Sequence, residues 1–140
     1  MGVAQMVTEL TIPSDLAEAR RVQERIEEAL SASAYSEHDI FSIKLALEEA
    51  LVNAIKHGNQ MDPDKRVFIA FHITAERFDI RITDEGPGFD PGEVPDPGDP
   101  QSLERPCGRG LLLMRCFMTE VRYHGKGNVI SMSKVRQAAP

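Results

Sequence analysis

The stretch that decides the fold is residues 40–58, IFSIKLALEEALVNAIKHG. From Ile40 to Ile55 it is apolar nearly all round, the pattern of a helix at the centre of a domain. Ser36, with Asp39 three residues on, reads as a weak capping box that opens this helix. It runs to about His57, where Gly58 ends it as a C′ residue. Its polar residues fall in two places. Lys44 and Glu48 stand i,i+4 and are expected to pair on a solvent face. Glu49, Asn53 and His57 form a second stripe, each four residues apart and drifting only about 40° per step. An acid, an amide and an imidazole on one face could hold a metal and polarise a hydroxyl. From spacing alone such a stripe is more often a solvated face, and His57 is also explained by the dipole of a helix C-terminus.

The elements on either side are ordinary. Met6 to Ile12 alternates loosely and reads as a strand. Ser14, after Pro13, is a good N-cap for a helix in which Leu16, Ala19, Val22, Ile26, Ala29 and Leu30 recur at helical spacing. Val67, Ile69, Phe71 and Ile73 alternate, as do Phe78, Ile80 and Ile82, giving two strands joined near Ala75 and Glu76. Gly110 to Met118 is apolar enough for a buried helix. Glu120–His124 and Asn128–Val135, split by Gly125-Lys126-Gly127, read as a closing hairpin. The order β-α-α-β-β-loop-α-β-β is not a βαβ alternation. It predicts an α/β fold of two layers, a sandwich with one mostly antiparallel sheet and helices on one face, as a single domain over residues 1–140.

Composition narrows the function classes. The 140 residues are 41% hydrophobic and 27% charged, ordinary for a globular domain. No purely apolar run exceeds five residues, so no membrane span is expected. The amino end shows no secretory pattern, and Cys107 and Cys116 match neither a metal pair nor a redox pair, so a cytoplasmic chain with reduced thiols is expected. The net charge of −6 argues against direct nucleic-acid binding. That charge is uneven: residues 84–107 carry −6 and residues 108–140 carry +5. The acidic block also holds six of the nine prolines, and six of the ten glycines fall between Gly86 and Gly110, so no regular element can cross it. A loop of this kind inside a compact domain tends to be a lid, a binding loop or disorder.

Two glycine loops frame that block. The strand ending at Thr83 runs into Asp84-Glu85-Gly86-Pro87-Gly88-Phe89-Asp90. An acid at a strand end followed by G-x-G lets the backbone come close to a ligand, with Asp84 free to accept from an exocyclic amine. Gly108-Arg109-Gly110-Leu111 then opens a helix, whose free N–H groups and positive dipole end suit a phosphate. Taken singly, each loop is more often just a turn.

Together and in this order, Glu49 to Gly58, Asp84 to Asp90 and Gly108 to Leu111 resemble the N, G1 and G2 boxes of the GHKL ATPase superfamily. The E-A-x-x-N-A-x-x-H-G form is most similar to its bacterial branch of anti-sigma factors with serine-protein kinase activity, the RsbW and SpoIIAB type. The resemblance covers roughly Ser36 to Val135. It implies the Bergerat ATP-binding fold and the cofactors ATP and Mg²⁺. Asn53 would coordinate the metal, and Glu49 would be the general base for an attacking serine hydroxyl. Asp84 would read the adenine amino group, and Gly86 and Gly88 would let the chain pass the nucleotide. Gly108, Arg109, Gly110 and Leu111 would hold the phosphates, and residues 89–107 would be the ATP lid. The acids of that lid would need Mg²⁺, Arg105, Arg109 and the helix dipole to offset them. A carboxylate four residues before the amide places base and metal about 6 Å apart along the helix axis.

The implied partners are a STAS-domain anti-anti-sigma protein and a sigma factor, with a homodimer formed through the sheet face. The alternative is a regulatory module in which ATP occupancy switches partner affinity without phosphoryl transfer. One departure stands out. The closing strand of this family usually carries Thr after the glycine of K-G-T, and here Asn128 follows Lys126-Gly127.

Overall fold

Along Val67, Ile69 and Phe71, and again along Phe78, Ile80 and Ile82, every second residue is buried, so two successive strands each turn one face inward. The computed structural model describes residues 7–87 and 114–137. Its strands are β1 (Thr8–Pro13), β2 (Arg66–Ile73), β3 (Arg77–Asp84), β4 (Glu120–His124) and β5 (Val129–Val135). Two helices, α1 (Leu16–Ala32) and α2 (Glu37–Val52), lie between β1 and β2, and a π-helical turn, Asn53–Gly58, continues α2.

The strands form one sheet in the order β1-β2-β3-β5-β4, and every pairing is antiparallel. The register lines up the inward residues. Leu10, Ile69, Ile82, Ile130 and Tyr123 make one row, and Phe71, Ile80, Met132 and Val121 make the next. Against these rows α1 buries Val22, Ile26 and Leu30, and α2 buries Ile43, Leu47 and Leu51. Met114 and Met118 join the same core at a short helical stretch, residues 114–117. The two-layer, antiparallel α/β architecture expected from the element order is the one observed. Among the described residues no helix is long and apolar enough to cross a membrane.

Local details depart from the sequence reading where a tertiary partner outcompetes a local one. The N-cap of α1 is Asp15, whose carboxylate accepts from the Ala17 N–H, and not Ser14. Ser14 is buried instead, its hydroxyl donating to the Lys65 carbonyl at 2.8 Å. Ser36 caps α2 as expected, but the box is only half made. The Asp39 carboxylate turns away to accept from the Gln137 N–H, beyond β5. Lys44 pairs with Glu27 of α1 at 3.8 Å and not with Glu48, because the neighbouring helix brings an acid within reach. The central helix also does not run as α-helix to His57. It widens at Asn53, and the left-handed residues that end it are Gln60 and Met61, not Gly58. Several expected features lie outside the described residues: Met6, the lid at residues 89–107, Gly88, Arg105, Gly108, Arg109, Gly110, Leu111, and residues 110–113 of the third helix.

The reassigned cap is testable. Asp15→Ala is expected to lower unfolding free energy by about 1 kcal/mol, while Asp15→Asn, which keeps an acceptor, stays within a few tenths. Urea denaturation followed by far-ultraviolet circular dichroism measures both. Equal stability of the three proteins would rule out this cap.

Candidate functional site

The inward alternation of β3 does not stop at Ile82. It carries on to Asp84, the last residue of the strand, and so sets a carboxylate on the helix side of the sheet. What faces it there is the end of the π-helical turn. A Cβ on Gly58 would lie 2.5 Å from Asp84 Oδ2 and 2.7 Å from Oδ1. A Cβ on Gly86 would lie 2.5 Å from the Gly58 carbonyl carbon and 2.9 Å from Asp84 Oδ1. Neither glycine has a left-handed backbone, so space and not conformation excludes a side chain at both. Gly86 in turn donates its N–H to Asp84 Oδ1 at 2.8 Å. Gly58, Asp84 and Gly86 are therefore one contact, closed over a separation of 28 residues by bare backbone.

Burial pushes the Asp84 carboxyl above its ordinary value. The Gly86 N–H bond and the charges of Lys126 and Lys65 pull it part of the way back. The carboxylate thus keeps one oxygen committed to Gly86 and sits among cations from two separate turns.

On the helix side, Glu49 and Asn53 are one turn apart and both partly exposed. Among the described residues neither side chain has a hydrogen-bond partner, which leaves an acid and an amide available on the same face. The π-helical turn begins at Asn53, and the Asn59 N–H reaches back five residues to the Ala54 carbonyl at 2.8 Å. Single π-turns of this kind occur mostly inside α-helices and frequently at functional sites. The widened turn also breaks the expected stripe. Glu49 and Asn53 keep α-helical spacing, whereas His57 lies past the change and is exposed with Lys56 at the last turn.

No cluster of three or more His, Cys, Asp or Glu able to cage a metal exists among the described residues. The carboxylate of Glu49 and the amide oxygen of Asn53 are hard donors that suit Mg²⁺ better than a transition metal. Mg²⁺ usually keeps several waters and takes one or two protein oxygens together with substrate phosphates. The Asn53 amide oxygen is a hard ligand of that kind.

One residue of this neighbourhood gave no sequence signal. Asn59, next to Gly58, is fully buried, and all its side-chain polar atoms are used. Its amide nitrogen donates to Ser14 Oγ and to the Arg66 carbonyl, both at 3.0 Å, and its Oδ1 accepts from the Glu85 N–H at 2.8 Å. In sequence it reads as a turn residue after a helix. Only the meeting of β1, β2 and the loop after β3 makes it a buried junction. Asn128, which stands where the family's Thr was expected, also contacts this loop. Its side-chain nitrogen donates to the Asp84 carbonyl, and its own carbonyl accepts the Asp84 N–H, both at 2.9 Å.

The crowding has an ordered consequence. Gly86→Ala is expected to destabilise by about 1–3 kcal/mol, because the new methyl meets backbone that cannot rotate away. Gly58→Ala is expected to cost less, since it meets the movable Asp84 carboxylate. Differential scanning calorimetry on the two variants gives the order, and the reverse order would contradict this geometry.

Residues 12–134 match the family model described as a histidine kinase-like ATPase domain. A protein named serine-protein kinase RsbW from Bacillus licheniformis is 33% identical over 111 residues, covering 74% of this chain and 69% of its own. One of the same name from Listeria innocua is 29% identical over 114 residues, covering 74% and 71%. The fold matches a crystal structure of the RsbU and RsbW domains of a Mycobacterium tuberculosis protein with a TM-score of 0.65 at 17% identity. That match covers 96% of this chain, which spans only 34% of the longer one. With its family model matched over residues 12–134 and its antiparallel two-layer fold shared, the chain belongs to the histidine kinase-like ATPase domain family.

Proposed function

We propose that this chain is an ATP-dependent serine-protein kinase. Its protein substrate would be a STAS-domain anti-anti-sigma protein, and a sigma factor would be its second partner. The observation that carries the reading is the closure of Gly58 and Gly86 on Asp84. It brings the turn that follows the helix bearing Glu49 and Asn53 against the strand end bearing Asp84, which supports reading the three as one site. Relatives named serine-protein kinases at about 30% identity support the choice of phosphoryl acceptor.

The roles follow from chemistry. Mg-ATP, when bound, supplies the transferable phosphoryl group and neutralises its charge. Asp84 accepts a hydrogen bond from the adenine amino group through the oxygen that Gly86 does not occupy. The Asn53 amide oxygen holds Mg²⁺. Glu49, one turn before it, takes the proton of the attacking serine hydroxyl. Gly86 lets the chain pass close to the base. In the same reading Gly88, like Gly86, lets the chain pass the nucleotide, Gly108, Arg109, Gly110 and Leu111 hold the phosphates, Arg105 helps to offset the acids of the lid, and two copies of the chain form a homodimer in the cytoplasm.

Two outcomes test these roles. Glu49→Gln is expected to lower the rate of phosphorylation of a STAS-domain substrate by about 10²–10⁴-fold, with ATP affinity within about threefold of wild type. Radiolabel transfer and calorimetry measure the two quantities, and full activity in the variant would remove Glu49 as the base.

Asp84→Asn is expected to weaken ATP binding about 10–100-fold, the worth of one hydrogen bond to a charged group. It replaces the accepting oxygen by a donor that faces the adenine amine. The pH dependence has a definite sign. A carboxyl whose folded pKa is raised holds its proton more tightly in the folded chain, so Asp84 opposes folding above that pKa and ceases to do so as pH falls through it. ATP affinity moves the other way, declining with pH from above the ordinary carboxylate range. The Asn variant should lose that decline and be no less stable than wild type at neutral pH. An unchanged pH profile of ATP binding in Asp84→Asn would exclude Asp84 as the base reader.

A further inference from the structure

A single peptide plane behind Asp84 is held at both of its polar ends. The Asp84 carbonyl accepts from Asn128 Nδ2 at 2.9 Å, and the N–H across the same amide bond, that of Glu85, donates to Asn59 Oδ1 at 2.8 Å. The two asparagines reach it from opposite sides. Asn59 lies just past the central helix and Asn128 lies at the start of the closing strand, and neither touches the other among the described residues. Each has at least one further bond. Asn59 spends its amide nitrogen on Ser14 and Arg66 and is fully buried. Asn128 is tied through its own carbonyl to the Asp84 N–H. Glu85 adds a third tie, its carboxylate accepting from the Arg66 N–H at 2.5 Å, so Arg66 uses both its backbone groups on this junction.

We infer that Asn59 and Asn128 are positioning residues for nucleotide recognition: by fixing the Asp84–Glu85 peptide plane they aim the Asp84 carboxylate and fix the base specificity of the site. The inference rests on the proposed reading of Asp84 as the adenine contact. A peptide plane free to turn about the Asp84 Cα–C bond would swing the Gly86 N–H relative to the Asp84 side chain. That N–H determines which carboxylate oxygen remains for a ligand. With the plane pinned, the oxygen left by Gly86 points one way only. A hydrogen-bonding site rejects a ligand of the wrong donor pattern only when its own groups cannot turn to suit it. A pinned acceptor therefore favours the 6-amino group of adenine over the 6-oxo group of guanine. The choice of Asn over Thr at position 128 fits this role. An amide nitrogen reaches further than a hydroxyl and donates to a backbone carbonyl, while the main chain of the same residue completes the pairing with Asp84.

Asn128 is only partly buried and satisfies one carbonyl, so its truncation should fold. Asn59→Ala would leave the Arg66 carbonyl and the Glu85 N–H unpaired, and serves as the second variant. The experiment has two arms on wild type, Asn128→Ala, Asn128→Thr and Asn59→Ala. The first measures amide hydrogen exchange at Glu85 in nucleotide-free protein. The second measures dissociation constants for Mg-ATP and Mg-GTP by calorimetry. Asn128→Ala is expected to speed Glu85 exchange at least about tenfold and to narrow the ATP-over-GTP preference by a similar factor, with little change in melting temperature. Asn128→Thr should recover part of both effects. A merely structural role would move stability and both affinities together and leave their ratio alone. Unchanged Glu85 exchange in Asn128→Ala overturns the clamp, and an unchanged ATP-to-GTP ratio overturns its role in specificity. Absence of ATP binding by the wild type would overturn the nucleotide reading itself and the positioning role with it, while the exchange arm still judges the clamp.

Discussion

The contact of two glycines with one carboxylate constrains everything else in this chain. Helix and sheet layers ordinarily stand apart by the length of the side chains between them. At Gly58 and Gly86 that separation vanishes, because neither residue has room for a Cβ. For the layers to converge there, α2 must cross the sheet and finish over the last residue of β3, and β3 must keep its inward alternation through Ile82 to Asp84. The π-helical turn serves the same end. The widened turn ends in Gly58, the residue that meets Asp84, and it leaves His57 and Lys56 exposed. A regular α-helix over these residues would keep Glu49, Asn53 and His57 on one stripe. The structure gives up that stripe for the contact.

The contact carries an electrostatic cost, and its surroundings show how that cost is met. The Asp84 carboxyl is raised by burial, yet among the described residues no ion pair neutralises it as one would a purely structural carboxylate. Among the same residues one neutral N–H and two lysines at a distance offset part of the penalty and leave an acceptor oxygen unspent. An arginine paired to Asp84 would stabilise the fold and close the site. Sites that must accept a ligand commonly retain groups with perturbed titration for this reason. Stability and recognition pull against each other at this one carboxylate, and the amides of Asn59 and Asn128 hold its backbone without touching its charge.

Much of the architecture is legible in local pattern. The apolar circumference of residues 40–55 marks the central helix, and the strict alternations at 67–73 and 78–82 mark the sheet, because burial on a periodic element leaves a periodic trace. Extending the second alternation by one step even places Asp84 on the correct face. The misreadings share one cause. Ser14 is as good a local cap as Asp15, and the choice between them is made by Lys65 and Asn59, some fifty residues away. Lys44 has Glu48 one turn along but meets Glu27 across the helix pair. Asn59 has no periodic partner at all, and its three bonds go to three different elements. Residues whose role is to join elements carry no signature in their own neighbourhood. Gly58 and Gly86 are legible for the opposite reason, since each sits in a short run and its place is dictated by backbone clearance.

The two ends of the sandwich show how differently one chain can treat buried polar groups. At the end away from Asp84, Tyr35 donates to the Thr74 carbonyl, Arg136 reaches the Ala34 carbonyl, and the Arg136 N–H bonds Glu76. Tyr35 is pushed up to about 12, chiefly by burial, so its phenol stays a neutral donor at any physiological pH. Asp39, wholly buried at the start of α2, ties down the segment after β5 through the Gln137 N–H. These links fasten the start of α2, the β2–β3 turn and the end of β5 to one another. With that end fastened, α2 and the turn after it run from this network to the approach of Gly58 to Asp84 and are held at both ends. Preorganisation of this kind requires rigidity at a distance from the ligand as well as beside it. The far polar network is therefore part of what keeps Glu49, Asn53 and Asp84 in fixed relation.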